Sequence, residues 1–352
     1  MKIWYDITNT PQVHFLLAID KLIKGIEPSV ESIYTAREFS ETSKMLEQRV
    51  GKGAYITIGG HYGKSYWRKI LGLAQRFMSV YRLPFAFDVS ISCGSESAVW
   101  SAWLKRKVSI AFGDNDQARQ WTYGHQVDYA FFPDAIPAEV LEKQGLKGKL
   151  YRYHGYKEDL YLADYKPNEK FSDMLPFEKE ADGKKHYVVV RPENVQANYI
   201  RNGNVQPITP ELLRELAAMG YNILYLPRYA TDRAFADGLA HVFMPDGPIN
   251  GLDACYYADA VLTGAGTFAR EAACLGVPSF SFFAGKELLA VDKQMIANGE
   301  MFFSRDVKAI MERLSHTEKR EPNLARSKAT QREVGEKLKE IFGKLDEFIL
   351  GK

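Results

Sequence analysis

Apolar and polar positions along the chain switch repeatedly between a period near two and a period near 3.6. "KIWYDI" (2–7) is a short apolar run that predicts a strand. The polar loop "TNTPQ" follows, and then "VHFLLAIDKLIKGI", whose apolar residues recur at helical spacing. The same order returns several times. "SVESIYTA" predicts a strand, "EFSETSKMLEQRVG" a helix and "AYITIG" a strand. "FDVSISCG" runs into the helical "SESAVWSAWLKRK", "VSIAFGDND" is strand then loop, and "VDYAFFPDAIP" completes the series. Such alternation predicts a parallel sheet covered by helices.

A charged stretch with two prolines and little apolar periodicity, "ADYKPNEKFSDMLPFEKEADGKKH" (163–186), reads as a domain boundary. The alternation then restarts. "YVVVRPE" predicts a strand, and "TPELLRELAAMG" a helix with Thr209 at the N-cap, Pro210 at its first position and Gly220 as the stop. "YNILYLP" and "HVFMPDG" predict strands. In "DACYYADAVLTGAGTFAREAACLGVPSFSFF" (253–283), a buried strand meets a Gly-Ala-Gly turn, a helix opens at once, and a further strand begins after Gly276 and Pro278. "SKATQREVGEKLKEIFGKLDEFI" predicts a long amphipathic terminal helix. The expected fold is α/β, with two Rossmann-like domains facing across a cleft. The first spans 1–165 together with about 325–352, and the second spans 180–324.

Composition changes this picture little. The chain has 352 residues, 46% hydrophobic and 26% charged, enough for two ordinary cores. A net charge of +2 gives no reason to expect nucleic acid as a partner. Cys93, Cys255 and Cys274 lie far apart in apolar segments, without zinc spacing, and read as free thiols in a reducing compartment. The N-terminus "MKIWYDITNT" lacks a charged-then-apolar leader, and no apolar run reaches the roughly 18 residues that span a bilayer; the expected location is cytoplasmic. The basic, apolar segment 68–85 suggests peripheral membrane contact, although a helix packing on its own sheet accounts for the same pattern.

In open α/β sheets ligands bind beyond the carboxyl ends of strands, so the strand-to-helix loops are the candidate sites. Gly264 and Gly266 allow a tight turn and close approach of a ligand, and the following helix start favours an anion. Thr267, Arg270 and Glu271 stand just beyond. The bland alternative is that the glycines only pack helix against strand. Arg191 ends "VVVR" before Pro192, with Glu193 beside it to orient it, and Arg228 repeats the theme after "LYLP". Two guanidinium groups at two strand ends suit a diphosphate, with structural ion pairing as the alternative. In the first half, "DITNTPQVHF" places Asp6, Asn9 and His14 at a strand-to-helix junction, where Asn9 or Thr10 caps the helix and Pro11 starts it. Ser95 in "SCGSESAVW" and Asp114 and Asp116 in "AFGDNDQAR" occupy corresponding places, and the two aspartates are equally good turn residues.

The segment "YYADAVLTGAGTFAREAACLGVPSFSF" resembles the nucleotide-binding segment of two-domain glycosyltransferase-B enzymes and of the non-hydrolysing UDP-N-acetylglucosamine 2-epimerases. The N-terminal "MKIWYDITNTPQVHFLLAI" and the strand end "VVRPE" are more similar to an uncharacterised prokaryotic domain-of-unknown-function family of that superfamily, over nearly the whole chain. The resemblance implies a glycosyltransferase-B-like fold whose terminal helix crosses back to the N-terminal domain. It implies that Glu271 holds a ribose and that Gly266 and Thr267 approach the diphosphate. His14 resembles the first-loop histidine of those enzymes, which faces sugar or acceptor, and suits a general base. Where the epimerases carry a His-Gly-Asp, this chain reads Cys93-Gly94-Ser95, and Asp114 or Asp116 stands where a glutamate is expected.

The expected function is therefore glycosyl transfer from a nucleotide-diphosphate sugar to an unknown acceptor, in polysaccharide or glycoconjugate biosynthesis. His14, Asp114 and Asp116 are the catalytic candidates. Asp6, Asn9, Ser95, Arg191, Glu193, Arg228, Gly264, Gly266, Thr267, Arg270 and Glu271 are the binding candidates. No metal or other cofactor is expected, since arginines and helix N-termini can face the leaving diphosphate and no DxD-type signature demands one. The alternatives are a nucleotide-sugar epimerase and a non-catalytic nucleotide-sugar-binding protein.

Overall fold

The computed structural model describes residues 1–37, 40–59, 66–83, 85–193, 206–247, 249–318 and 324–350. It divides into two compact units: unit 1 is Met1–Ala163 with Arg326–Lys352, and unit 2 is Asp164–Ala325. Each is a parallel sheet with helical crossovers, as in Rossmann-like domains.

In unit 1 the strands are β1 (Lys2–Ile7), β2 (Glu31–Ala36), β3 (Tyr55–Thr57), β4 (Val89–Ser92), β5 (Val108–Phe112), β6 (Tyr129–Pro133) and β7 (Leu150–Tyr153). Between them run α1 (Pro11–Ile26), α2 (Ser40–Val50), α3 (Tyr66–Tyr81), α4 (Glu96–Leu104) and α5 (Ala138–Leu141), and α6 (Lys157–Leu162) follows β7. The sheet order is β3-β2-β1-β4-β5-β6-β7. Order therefore reverses between β1 and β4, whose register sets Asp6 beside Ser92. β4 is buried throughout and β1 in all but its first residue, the pattern of strands covered on both faces. Phe112 packs on Phe15 and Phe131, with ring centroids 5.2 and 4.8 Å apart, and joins sheet to α1.

Unit 2 contains β8 (Val188–Arg191), α7 (Thr209–Ala218), β9 (Ile223–Tyr225), β10 (Val242–Phe243), α8 (Gly251–Tyr257), β11 (Ala260–Thr263), α9 (Gly266–Cys274), β12 (Ser279–Ser281), α10 (Ala290–Ala297), β13 (Met301–Phe303) and α11 (Val307–Ser315). Its order, β10-β9-β8-β11-β12-β13, reverses between β8 and β11, where Thr263 lies beside Arg191. Leu212, Leu213 and Leu216 of α7 and Ile310 of α11 pack on Val188, Val190 and Leu262 of the sheet.

The final helix, α12 (Leu324–Leu350), returns the chain to unit 1. Val334, Leu338, Ile341, Phe342 and Leu345 form its buried stripe. At its start Arg326 Nε lies 3.0 Å and Ser327 Oγ 2.7 Å from the carboxylate of Asp159, and the Arg326 guanidinium covers the Tyr156 ring.

Several local expectations change. Thr209 is the first helical residue of α7, not its cap, because its hydroxyl is drawn to Glu193. Neither Asn9 nor Thr10 caps α1 with its side chain; Gln12 Oε1 instead accepts from Thr8 N and Thr8 Oγ1. Part of the stretch expected to be a linker is anchored in unit 2, where Asp253 accepts from the Tyr165 hydroxyl at 2.6 Å and from Asn168 N at 3.0 Å.

Candidate functional site

Both reversal points carry polar residues at the carboxyl ends of their strands, and their side chains have different tasks. In unit 2, Gly264 N donates to the carbonyl of Arg191 at 3.0 Å, and Thr263 Oγ1 accepts from Ala265 N at 2.9 Å, so the turn into α9 is fixed from both sides. A Cβ on Gly264 would lie 2.6 Å from Cα and Cγ of Glu193. The glycine is therefore required by its neighbour strand end. Glu193 itself is 2% exposed. Its carboxylate accepts from Ile208 N at 2.8 Å and from Thr209 Oγ1 at 2.5 Å, with Arg305 Nη2 at 3.4 Å. Expected to orient Arg191 beside a ligand, Glu193 instead braces the start of α7 with its carboxylate.

Arg270 is corrected in the same way. It is 3% exposed, and Nη1 donates to Asp292 Oδ1 of α10 at 2.9 Å. Nη2 donates to Thr267 Oγ1 at 3.3 Å, so the guanidinium lies beneath the first turn of α9. A Cβ on Gly266 would meet Arg270 Nη1 at 3.2 Å. The residue before α9, Ala265, is extended and offers no side-chain cap. The first N–H groups of α9 thus have no intrahelical acceptor, and they stand at the positive end of the helix dipole.

Around this turn the structure assembles the half-buried members of the expected set. The Arg191 guanidinium sits 5.4 Å from the Phe268 ring centroid, a cation–π contact with α9. Arg228 Nε donates to the carbonyl of Pro192 at 3.1 Å, and its backbone N–H is held by Asp232, which ties the second arginine to the end of the first strand. Arg191 and Glu271 both lie within electrostatic reach of the Cys255 thiol. Burial pushes that thiol up, the Glu271 carboxylate adds to the rise, and Arg191 opposes it. Two guanidinium groups, a hydroxyl at Thr267 and a helix N-terminus therefore share one strand-end corner.

In unit 1, Asp6 is 1% exposed and fully engaged. Arg76 Nη2 donates to both of its oxygens at 2.7 Å, Thr35 Oγ1 to one at 2.7 Å, and Ser95 Oγ to the other at 2.5 Å. Arg76 Nη1 reaches the Ile58 carbonyl at 2.9 Å. Asp6 is thus the centre of a buried network joining β1, α3 and the start of α4, a correction to its expected contact with substrate. Ser95 belongs to the same network and caps α4, accepting from Ala98 N at 3.4 Å. Glu96 Oε1 accepts from Thr122 Oγ1 at 2.9 Å.

His14 lies half-buried in the first turns of α1, stacked on Tyr161 of α6 with centroids 6.2 Å apart. Burial, with Arg49 adding to it, pushes its imidazole down to about 4, so it is neutral near pH 7. Asp114 forms a tight ion pair with Lys157 Nζ at 2.6 Å, with side chains only 18% and 10% exposed. Burial pushes the neighbouring Cys93 thiol up to about 12, against the pull of Lys157. The fully buried Tyr153 hydroxyl faces Asp114, Glu158 and Asp159, and is raised mainly by burial. Asn9 is exposed and contributes its carbonyl to Gln12 N, and Asp116 is half-buried in the loop after β5.

Lys157, Tyr161 and Arg76 were not expected at the site. The first two stand in "YRYHGYKEDLYL", a strand, glycine and helix in the same order as the other loops, which is a readable signal. Arg76 lies mid-helix, 70 residues from Asp6, and no local pattern marks it.

Comparison with known proteins supports the same architecture. A UDP-GlcNAc 2-epimerase from Neisseria meningitidis, solved bound to UDP-GlcNAc, matches with a TM-score of 0.69 at 13% identity, over 98% of this chain and 100% of that one. The calicheamicin glycosyltransferase CalG4 matches at a TM-score of 0.56 and 10% identity, over 98% of both chains. These likenesses establish the fold, that of glycosyltransferase-B enzymes and UDP-GlcNAc 2-epimerases. The uncharacterized protein MJ0665 of Methanocaldococcus jannaschii is 25% identical over 337 residues, 88% of this chain and 90% of that protein. Residues 1–342 match the family described as protein of unknown function, DUF354, and by that near-complete match the chain belongs to it.

Proposed function

We propose that the protein is a glycosyltransferase-type enzyme that takes its donor as a nucleotide-diphosphate sugar. The observation that carries this reading is the unit 2 corner, where Arg191, Arg228 and the uncapped start of α9 converge at the reversal of strand order. A diphosphate there meets two guanidinium groups and a row of N–H donors, and Glu271, further along α9, is the residue assigned to the ribose. In transfer, an acceptor hydroxyl attacks the anomeric carbon as the bond from that carbon to the diphosphate oxygen breaks. The electron pair leaves on the diphosphate, where the two arginines and the α9 N–H groups stabilise it.

Epimerisation at the sugar's C2 is the second reading, favoured by the fold shared with UDP-GlcNAc 2-epimerases. Against it, the acids it requires in unit 1 are engaged or missing. Ser95 is committed to Asp6, Glu96 accepts from Thr122, and Asp114 is paired with Lys157.

Thermal-shift titration against UDP-, GDP-, CMP- and dTDP-sugars tests the binding step. The matching nucleotide stabilises by about 2.7 kcal/mol at a hundredfold excess over its dissociation constant. Arg191→Gln with Arg228→Gln removes that shift. A folded protein unmoved by every nucleotide overturns the proposal. Conversion of UDP-GlcNAc to its C2 epimer without acceptor replaces it with the second reading.

A further inference from the structure

The opposite edge of the unit 1 sheet has a different character from the strand ends above. There α3 and α4 end, and β1, β4 and β5 begin: Lys2 N and Lys107 Nζ both reach Asp88, at 2.9 and 3.3 Å. Large apolar side chains are exposed on this edge. Trp103 is 50% exposed, Leu104 47%, Met78 41% and Tyr81 38%, all within the last four residues of their helices. Beside them a surface groove of about 320 Å³ is lined by Leu83, Phe85, Ala86, Phe87, Lys105 and Lys107. Arg82, Lys105, Arg106 and Lys107 are the cations of the two loops 82–88 and 105–107, against the single acid Asp88. The Lys105 ammonium lies 5.3 Å from the Tyr81 ring centroid and 5.6 Å from that of Phe87. Burial pulls its pKa below the ordinary lysine value, a desolvation that a nearby anion would offset.

We infer that this edge docks unit 1 peripherally on an anionic lipid surface. Trp and Tyr side chains settle at the headgroup level, Leu and Met insert among the acyl chains, and a flanking set of cations meets lipid phosphates. Charge selects this occupant over a second copy of the chain, because a two-fold contact would bring together two patches that both carry a net positive charge. No helix among the described residues is long and apolar enough to cross a membrane, so the attachment is interfacial. The inference is independent of the nucleotide-sugar reading.

The test is co-sedimentation of the full chain with phosphatidylcholine vesicles, with and without phosphatidylglycerol. The protein partitions onto the anionic vesicles, and added salt weakens it. Each surface cation contributes a factor of about five, so the double variant Arg82→Gln, Arg106→Gln partitions roughly twenty-five-fold more weakly. Trp103→Ser with Leu104→Ser also loses binding. All four side chains are exposed, and a thermal melt of each variant verifies that the fold is retained. Absence of wild-type binding to anionic vesicles, equal binding to neutral ones, or unchanged partitioning of both double variants overturns the inference. So does concentration-dependent dimerisation that the Trp103→Ser, Leu104→Ser variant abolishes, which would assign the edge to a second copy.

Discussion

The Asp6–Arg76 pair offers a stringent test of how unit 1 is held at its reversal point. Both side chains are buried, at 0% and 4% exposure, and both carboxylate oxygens accept from one guanidinium nitrogen while each also accepts from a hydroxyl. Arg76→Met keeps the bulk of the aliphatic stem and removes the charge, leaving the carboxylate with only Thr35 and Ser95. Removing one partner of a buried pair costs about 3–5 kcal/mol, because the remaining charge stays desolvated. For a folding unit of this size, each kcal/mol lowers the melting temperature by roughly 2–4 °C, so the expected fall is about 6–20 °C. The double variant Asp6→Leu, Arg76→Met removes both charges and should recover most of the loss. Urea unfolding followed by circular dichroism, with each unit treated as its own transition, measures the coupling energy. Nucleotide affinity should be unchanged in every variant, since the unit 2 corner is untouched. A loss below about 1 kcal/mol in Arg76→Met, or a double variant equal to the sum of the singles, refutes the reasoning.

Three further outcomes are expected. Gly264→Ala places a Cβ 2.6 Å from the Glu193 backbone, and it should destabilise unit 2 by about 1–3 kcal/mol in chemical denaturation. Arg270→Met should lower the melting temperature by breaking the buried pair with Asp292, and Arg191→Gln should abolish the nucleotide-induced shift. His14 is pushed down to about 4 in the folded chain, from about 6.5 when unfolded. Between those values only the unfolded state binds the proton, so stability falls as pH drops from 6.5 towards 4, by up to roughly 3 kcal/mol, and levels off below. A His14→Gln variant should flatten that part of the melting-temperature profile.

The alternation of periods was sufficient to read the two parallel sheets, because buried strands and amphipathic helices announce themselves within a few residues. The site was legible at the level of loops. Arg191 and Arg228 stand out because they follow strand ends, and the structure sets Arg191 against Phe268 and ties Arg228 to the Pro192 carbonyl. What side chains do within a loop was not legible, and the reason is distance along the chain. Arg270 meets Asp292 from 22 positions away, and Asp6 meets Arg76 from 70. A charged residue facing a ligand and one buried against a remote partner look identical in a local window. Only packing decides between them, as it does for Glu193 against Thr209. Lys157 escapes a local reading for another reason: β7 and α6 are only four and six residues long and come after the last well-patterned strand of the series.

The return of α12 to unit 1 has a consequence for synthesis on the ribosome. Unit 2 is one uninterrupted stretch, able to close as soon as it emerges. Unit 1 must wait with Asp159 lacking Arg326 and Ser327, and with its apolar groove for Val334, Leu338 and Ile341 empty, until the whole of unit 2 has been translated. The half that begins first is the half that finishes last, and a nascent chain stalled near residue 320 would present that vacant groove to chaperones.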